Sequence, residues 1–136
     1  MELTLEVAQK LLATQPFSVL VGARVTAFGD GGATLELDIR EELQQQNGFL
    51  HGGVLSYAAD NALTFAGGTA LGPEVLTGGF TINYLRPAQG DVLRAVAKVA
   101  HATSRQATCT CELRTVDGTT ETLCALAQGT VIAVRR

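Results

Sequence analysis

Between Asn47 and Gly68 the chain reads NGFLHGGVLSYAADNALTFAGG: a short loop, a His-Gly-Gly turn, then a segment apolar on almost every side. Within Val54–Ala66 the polar side chains are Ser56, Asp60, Asn61 and Thr64, besides the amphipathic Tyr57. Ser56, Asp60 and Thr64 recur every fourth residue, so on a helix they form one narrow polar stripe. A helix apolar around the rest of its girth must be covered by something broad, such as a sheet. These 13 residues are too few to span a bilayer, which takes about 20. The segment is therefore predicted to be a core helix. A carboxylate inside it is costly to bury unless it is paired or used, which makes Asp60 the first functional candidate.

The flanking segments say what covers that helix. Residues 3–13 carry Leu3, Leu5, Val7, Ala8, Leu11 and Leu12 at helical spacing, closed off by Pro16. Val19–Phe28 reads as a strand with Val19, Val21, Ala23, Val25 and Ala27 on one face. Gly29-Asp30-Gly31-Gly32 is a tight-turn signal. Ala33–Arg40 then alternates, with Ala33, Leu35, Leu37 and Ile39 inward. A polar link, Glu41–Gln46, leads to the central helix, for which Gly67-Gly68 and Gly72-Pro73 are both stop signals. Four strands follow: Leu76–Leu85, Val92–Ala100, Ala107–Val116 and Thr119–Val134, with turns at His101–Arg105 and Asp117-Gly118. The order is helix, two strands, long buried helix, four strands. It predicts an α+β fold in which a curved antiparallel sheet wraps the helix, its other face wet or covered by another subunit. At 136 residues the expectation is one domain, residues 1–136, with a core that needs no staples.

Composition removes several classes of function. The net charge is −3 and no Lys or Arg cluster occurs, which argues against a nucleic-acid partner. MELTLEVAQK is acidic and amphipathic without a charged-then-apolar leader, so the expected location is cytoplasmic, with no membrane attachment. Cys109 and Cys111 lie too close together to bridge and Cys124 stands alone, the pattern of reduced thiols. Two histidines fifty residues apart and no carboxylate cluster give a metal site no support.

The chemistry concentrates around the central helix. Backbone N–H groups of a helix's first turn have no internal partner and carry partial positive charge. Glycines at 52 and 53 leave those groups open to a ligand oxygen, the arrangement needed to polarise a carbonyl. The same glycines would also serve a merely sharp turn. Asp60, the one acidic side chain between Gln44 and Pro73, could cap a loop, but its apolar surroundings and lack of a nearby cation favour catalysis as nucleophile or general base. His51 suits site shaping more than acid–base work, and Tyr84-Leu85-Arg86-Pro87 reads as a strand terminus. Gly52 and Asp60 are eight residues apart, about 12 Å along a helix. One carbonyl cannot touch both groups of the same chain. If both act together, the active species is a two-fold dimer with antiparallel helices and two shared sites.

Gln45–Gly53, Asp60 nine residues past His51, and Thr77–Pro87 ending in Tyr-Leu-Arg-Pro together resemble the hotdog-fold acyl-CoA thioesterases of the phenylacetate-pathway (PaaI-like) type. The similarity in element order covers essentially the whole chain. It implies a six-stranded sheet around the helix, homodimers that pair into tetramers, and hydrolysis of an acyl-CoA to a free acid and coenzyme A without a further cofactor. Position by position, it implies that Gly52 polarises the carbonyl, that Asp60 of the neighbouring subunit is nucleophile or base, and that Thr77 helps place water. His51 would flank the carbonyl, and Gln45 or Asn47 would hold the water. Substrate contacts are implied at Asn47, Gly53, Asn61 and Gly78, with Ser104 and Arg105 toward the nucleotide or pantetheine end of coenzyme A. Phe49, Leu50, Phe65 and Phe80 could line an acyl tunnel. The alternatives are an acyl-thioester dehydratase or hydratase of the same fold, and a non-catalytic acyl-CoA-binding protein.

Overall fold

A computed structural model of the chain describes residues 2–134. Two short helices, α1 (Leu5–Ala13) and α2 (Pro16–Val21), precede the hairpin β1 (Arg24–Gly29) and β2 (Gly32–Asp38). A single 3₁₀ turn over Glu41–Leu43 leads to α3 (Gly52–Leu71). The rest is β3 (Val75–Tyr84), β4 (Val92–Ala102), β5 (Gln106–Asp117) and β6 (Thr120–Ala133). The strands form one antiparallel sheet in the order β1-β2-β4-β5-β6-β3, and α3 packs along one face of it. This is the curved sheet around a central helix expected of the hotdog fold.

Period-two burial selects that face. Ala33, Leu35 and Leu37 on β2, Leu93, Ala95 and Ala97 on β4, and Ala107, Cys109, Cys111 and Leu113 on β5 are all buried. The helix answers with Leu55, Ala58, Ala59, Ala62, Leu63 and Ala66. Small residues meet small residues over much of this contact, so helix and sheet lie close. Burying one of the larger members, such as Leu63 or Leu113, contributes about 1.5–3 kcal/mol. On the opposite face Val96, Leu126 and Ile132 are exposed. No described helix is long and apolar enough to cross a membrane.

One expectation is corrected, and of the two stop signals for the central helix the structure uses Gly72-Pro73. The first strand begins at Arg24 rather than Val19, because residues 16–21 are helical. Pro16 opens α2, and Gly22, in the left-handed region at φ 75°, ends it with its N–H bonded to the Ser18 and Val19 carbonyls. A short apolar run fits strand and helix alike, and these caps decide it. The central helix also runs straight through Gly67-Gly68 to Leu71, making 20 residues. A Cβ on Gly67 would sit 2.7 Å from the Val131 Cβ. That glycine therefore permits close helix–sheet approach instead of stopping the helix. The Asp30-Gly31 turn is as expected: both residues have positive φ (51° and 79°), the conformation that matches the twist of a two-residue hairpin. All three cysteines are free and buried.

Candidate functional site

At the start of α3, His51 is the N-cap, and its Nδ1 accepts the Gly53 N–H at 2.8 Å. The acceptor role puts the ring proton on Nε2, which faces outward on an exposed side chain. Position 53 has to be glycine for this cap, since a Cβ there would lie 2.9 Å from Nδ1. The His51 N–H is taken by the Leu43 carbonyl at 2.9 Å, and Val54 and Leu55 donate to the His51 carbonyl. Among the described residues the Gly52 N–H is thus the first-turn amide left without an acceptor.

The loop before the helix is closed on itself. Gln45 donates its N–H to the Phe49 carbonyl at 2.8 Å and accepts from the Gly48 N–H at 3.1 Å, while its Oε1 takes the Asn47 N–H. Leu50 is tied across to the Ala88 carbonyl at 2.8 Å. These bonds hold Gln45, Asn47, Phe49 and Gly52 against Tyr84 and Arg86 around a groove of ≈ 470 Å³. Tyr84, read from the sequence as a strand terminus, does more than that. Its hydroxyl donates to the Gly52 carbonyl at 3.0 Å and pairs with Ser56 Oγ at 2.8 Å, clamping the first helical turn to β3. The signal available beforehand was Ser56, at the head of the polar stripe with no partner in its own segment.

One turn and more along the helix, the stripe continues against the same strand. The Thr77 hydroxyl donates to Asp60 Oδ1, and Thr64 Oγ1 lies 2.8 Å from the Asp60 carbonyl and 2.7 Å from Thr77 Oγ1. Asp60 is half-buried. Among the described residues it makes no ion pair, and its Oδ2 has no protein hydrogen-bond partner. A carboxylate anchored through one oxygen and open at the other can accept a proton or attack an electrophile.

The other expected residues are dispersed. Asn61 points to a different helix face, where its Nδ2 donates to Gln15 (3.1 Å), Ser18 (3.2 Å) and Tyr57 (3.0 Å). Tyr57 in turn donates to the buried Ser18, and burial raises the Tyr57 phenol above its ordinary pKa. This network pins α2 to α3, and nothing in the sequence pattern marked Ser18 or Gln15. Gly78 forms the bulge of β3 beneath Ile132. Ser104 and Arg105 lie in the β4–β5 turn, tied through the Arg105 carbonyl to Ala133, opposite Val75. That is the Thr77 end of the sheet, away from Tyr84 and Gly52. Of the four expected tunnel residues, Phe49 and Leu50 line the groove by Gly52, and Phe65 lines a smaller cavity of ≈ 170 Å³ under α1. Phe80 packs on the core. No three His, Cys, Asp or Glu side chains among the described residues are placed to hold a metal ion.

The geometry has counterparts in known proteins. Residues 47–122 match the family model described as the thioesterase superfamily. Over 106 residues, 76% of this chain and 85% of the relative, the chain is 27% identical to a 1,4-dihydroxy-2-naphthoyl-CoA hydrolase of Listeria monocytogenes. A thioesterase family protein from Silicibacter pomeroyi superposes with a TM-score of 0.88 at 29% identity, covering 95% of this chain and 96% of that one. A point mutant of the phenylacetic acid degradation protein PaaI from Thermus thermophilus gives 0.77 at 29% identity, covering 88% and 100%.

Proposed function

The chain belongs to the thioesterase superfamily and is a thioester hydrolase, and from that premise we propose that its substrate is an acyl-CoA, cleaved at sites shared by two subunits. One observation carries this reading. A helix start with one amide left open and a carboxylate oxygen left open lie eight residues apart on α3, about 12 Å along its axis. Each supplies half of an acyl-transfer site and neither can serve the other within one chain.

In the proposed step the Gly52 N–H of one subunit donates to the thioester oxygen and stabilises the negative charge that builds there. Asp60 of the other subunit either adds to the carbonyl carbon through its open oxygen or deprotonates the water that does. Either way the C–S bond breaks, the sulfur leaves with a proton as free thiol, and one water is consumed to give the carboxylic acid. Thr77 holds the carboxylate in place, and His51, Gln45 and Asn47 border the carbonyl side. Support for the second subunit comes from β3. It is an edge strand of 10 residues without a charge or proline, and unprotected edges of that kind pair with another chain. Pairing of such dimers into tetramers is part of the same proposal.

The test is thiol release from a panel of short, medium, long and aryl acyl-CoAs, with Asp60→Asn beside the wild type. The expected result is a kcat lowered by about 10²–10⁴ with the fold and oligomeric state retained. Undiminished turnover in that variant removes Asp60 from the mechanism. Rapid quench of a single turnover then separates the two routes, since direct attack passes through a mixed anhydride that joins the acyl group to Asp60 after the thiol has left, whereas the general-base route forms no covalent acyl-enzyme.

A further inference from the structure

Tyr84 is the last residue of β3 and is 53% exposed, so packing does not account for where its hydroxyl ends. Below the ring the backbone is fixed. Tyr84 stands opposite Ala125 on β6, and the Leu85 and Arg86 N–H groups both donate to the Cys124 carbonyl, at 2.7 and 3.2 Å. Ala125 and Cys124 are fully buried. The hydroxyl has one proton, and the Gly52 carbonyl, 3.0 Å away, can only accept it. Ser56 must then donate to the Tyr84 oxygen across their 2.8 Å contact. The result is a directed chain, from the Ser56 hydroxyl through the Tyr84 hydroxyl to the Gly52 carbonyl, in which each bond strengthens the next.

That chain ends beside the open donor. Two glycines in succession make the loosest backbone on which a helix can start. Yet the peptide unit between Gly52 and Gly53 is held at both ends, its carbonyl by Tyr84 and its N–H by His51 Nδ1 at 2.8 Å. On the other side of Gly52, the His51 carbonyl takes the Val54 and Leu55 N–H groups. The amide between these two pinned units has one direction, set before any ligand arrives. A donor fixed in advance is what stabilises a developing oxyanion without reorganisation. We propose that Tyr84 is a positioning residue, whose hydroxyl, bonded to the Gly52 carbonyl, keeps the open Gly52 N–H aimed at the thioester oxygen. Its one proton is committed to that carbonyl, so Tyr84 is not itself a second oxyanion donor. The proposal rests on the donor role given to Gly52 and deepens it.

Three measurements test the assignment. Tyr84→Phe removes one oxygen and keeps the ring that lines the groove. It is expected to lower kcat about tenfold, the worth of one hydrogen bond, with KM held within about twofold, the split that marks an interaction made only in the transition state. A kcat unchanged in Tyr84→Phe, even with a lower Tm, makes the bond a folding contact and overturns the proposal. The second measurement places the same substitution in Gly52→Pro. With the donor gone nothing is left to aim, so the added loss in kcat should be under about twofold. A second tenfold loss means that Tyr84 acts independently of that amide, and overturns the proposal. The third needs no substrate: the ¹⁵N order parameter of the Gly52 amide should be about 0.85 in the wild type and fall toward about 0.6 in Tyr84→Phe. An amide equally rigid in both proteins overturns the proposal. Failure of the underlying reading looks different, since Gly52→Pro alone then turns over at the wild-type rate, or the wild type releases no thiol, while the Gly52 amide still loosens when the Tyr84 hydroxyl is removed.

Discussion

Gly52→Pro isolates one hydrogen-bond donor from everything around it. Proline has no N–H, and the amide it would delete is the first-turn donor without an acceptor. The backbone already suits the substitution. Position 52 is the first residue of α3, where proline is favoured. The residue before a proline must be extended, and His51 sits at φ −60°, ψ 134°. A Cβ at 52 would lie 3.5 Å from the Tyr84 ring and hydroxyl, ordinary contact distance. The Gly52 carbonyl stays available to Tyr84. Stability is expected to rise by about 0.4–1 kcal/mol because the unfolded chain loses freedom, moving Tm up by about 2–4 °C. Turnover is expected to fall by about 10²–10³, the usual loss for one oxyanion donor. Thiol release and a thermal melt on the same preparation read both effects. A well-folded Gly52→Pro protein with kcat within about twofold of the wild type would refute the role given to that amide.

Two further substitutions test the scaffold. Gly67→Ala gains about 1 kcal/mol of helix propensity but drives a methyl to 2.7–2.9 Å from three atoms of the fully buried Val131. Overpacking there costs about 3 kcal/mol, so Tm should fall by about 7 °C, and a rise would mean that β6 yields. Burial pushes the Cys109 thiol from its ordinary 9.0 up to about 11, and burial, then Glu112, pushes Cys111 up to about 12. Both folded-state values are raised, so the unfolded chain loses these protons first: their stabilising effect is complete below about pH 9 and disappears as pH climbs toward the folded values. Urea midpoints at about pH 8 and about pH 10.5 should therefore diverge more in the wild type than in the Cys109→Ala, Cys111→Ala double variant.

Much of this molecule is legible from residue spacing because two periods do most of the specifying. Every second residue of β2 and β5 is buried, and the fourfold spacing of Ser56, Asp60 and Thr64 places all three against one strand. What spacing cannot show is the identity of the neighbour across a contact. Gly67 looks like a stop signal until Val131 is known to lie over it. Val19 and Val21 look like strand residues until Pro16 and Gly22 are seen to cap a helical turn around the buried Ser18. Tyr84 looks like the end of a strand until α3 comes to rest beside it. In the proposed site, a carbonyl that needs both Gly52 and Asp60 has no place in any single chain.

That last point allows a test in which two dead proteins revive each other. In a Gly52→Pro homodimer both sites lack the donor, and in an Asp60→Asn homodimer both lack the acid. Denature the two together and refold them, and random pairing makes about half of the dimers mixed. In each mixed dimer one site takes Gly52 from the Asp60→Asn chain and Asp60 from the Gly52→Pro chain, so that site is intact while its twin carries both defects. One good site in half of the dimers predicts recovery of about a quarter of wild-type activity. Wild-type protein carried through the same cycle sets the scale for refolding losses. If every site were built within one chain, each chain would keep its own lesion and the mixture would stay as inactive as its parts. Recovery near a quarter therefore requires the donor and the acid to come from different subunits, and its absence from a mixture that refolds and dimerises leaves the shared-site geometry without support.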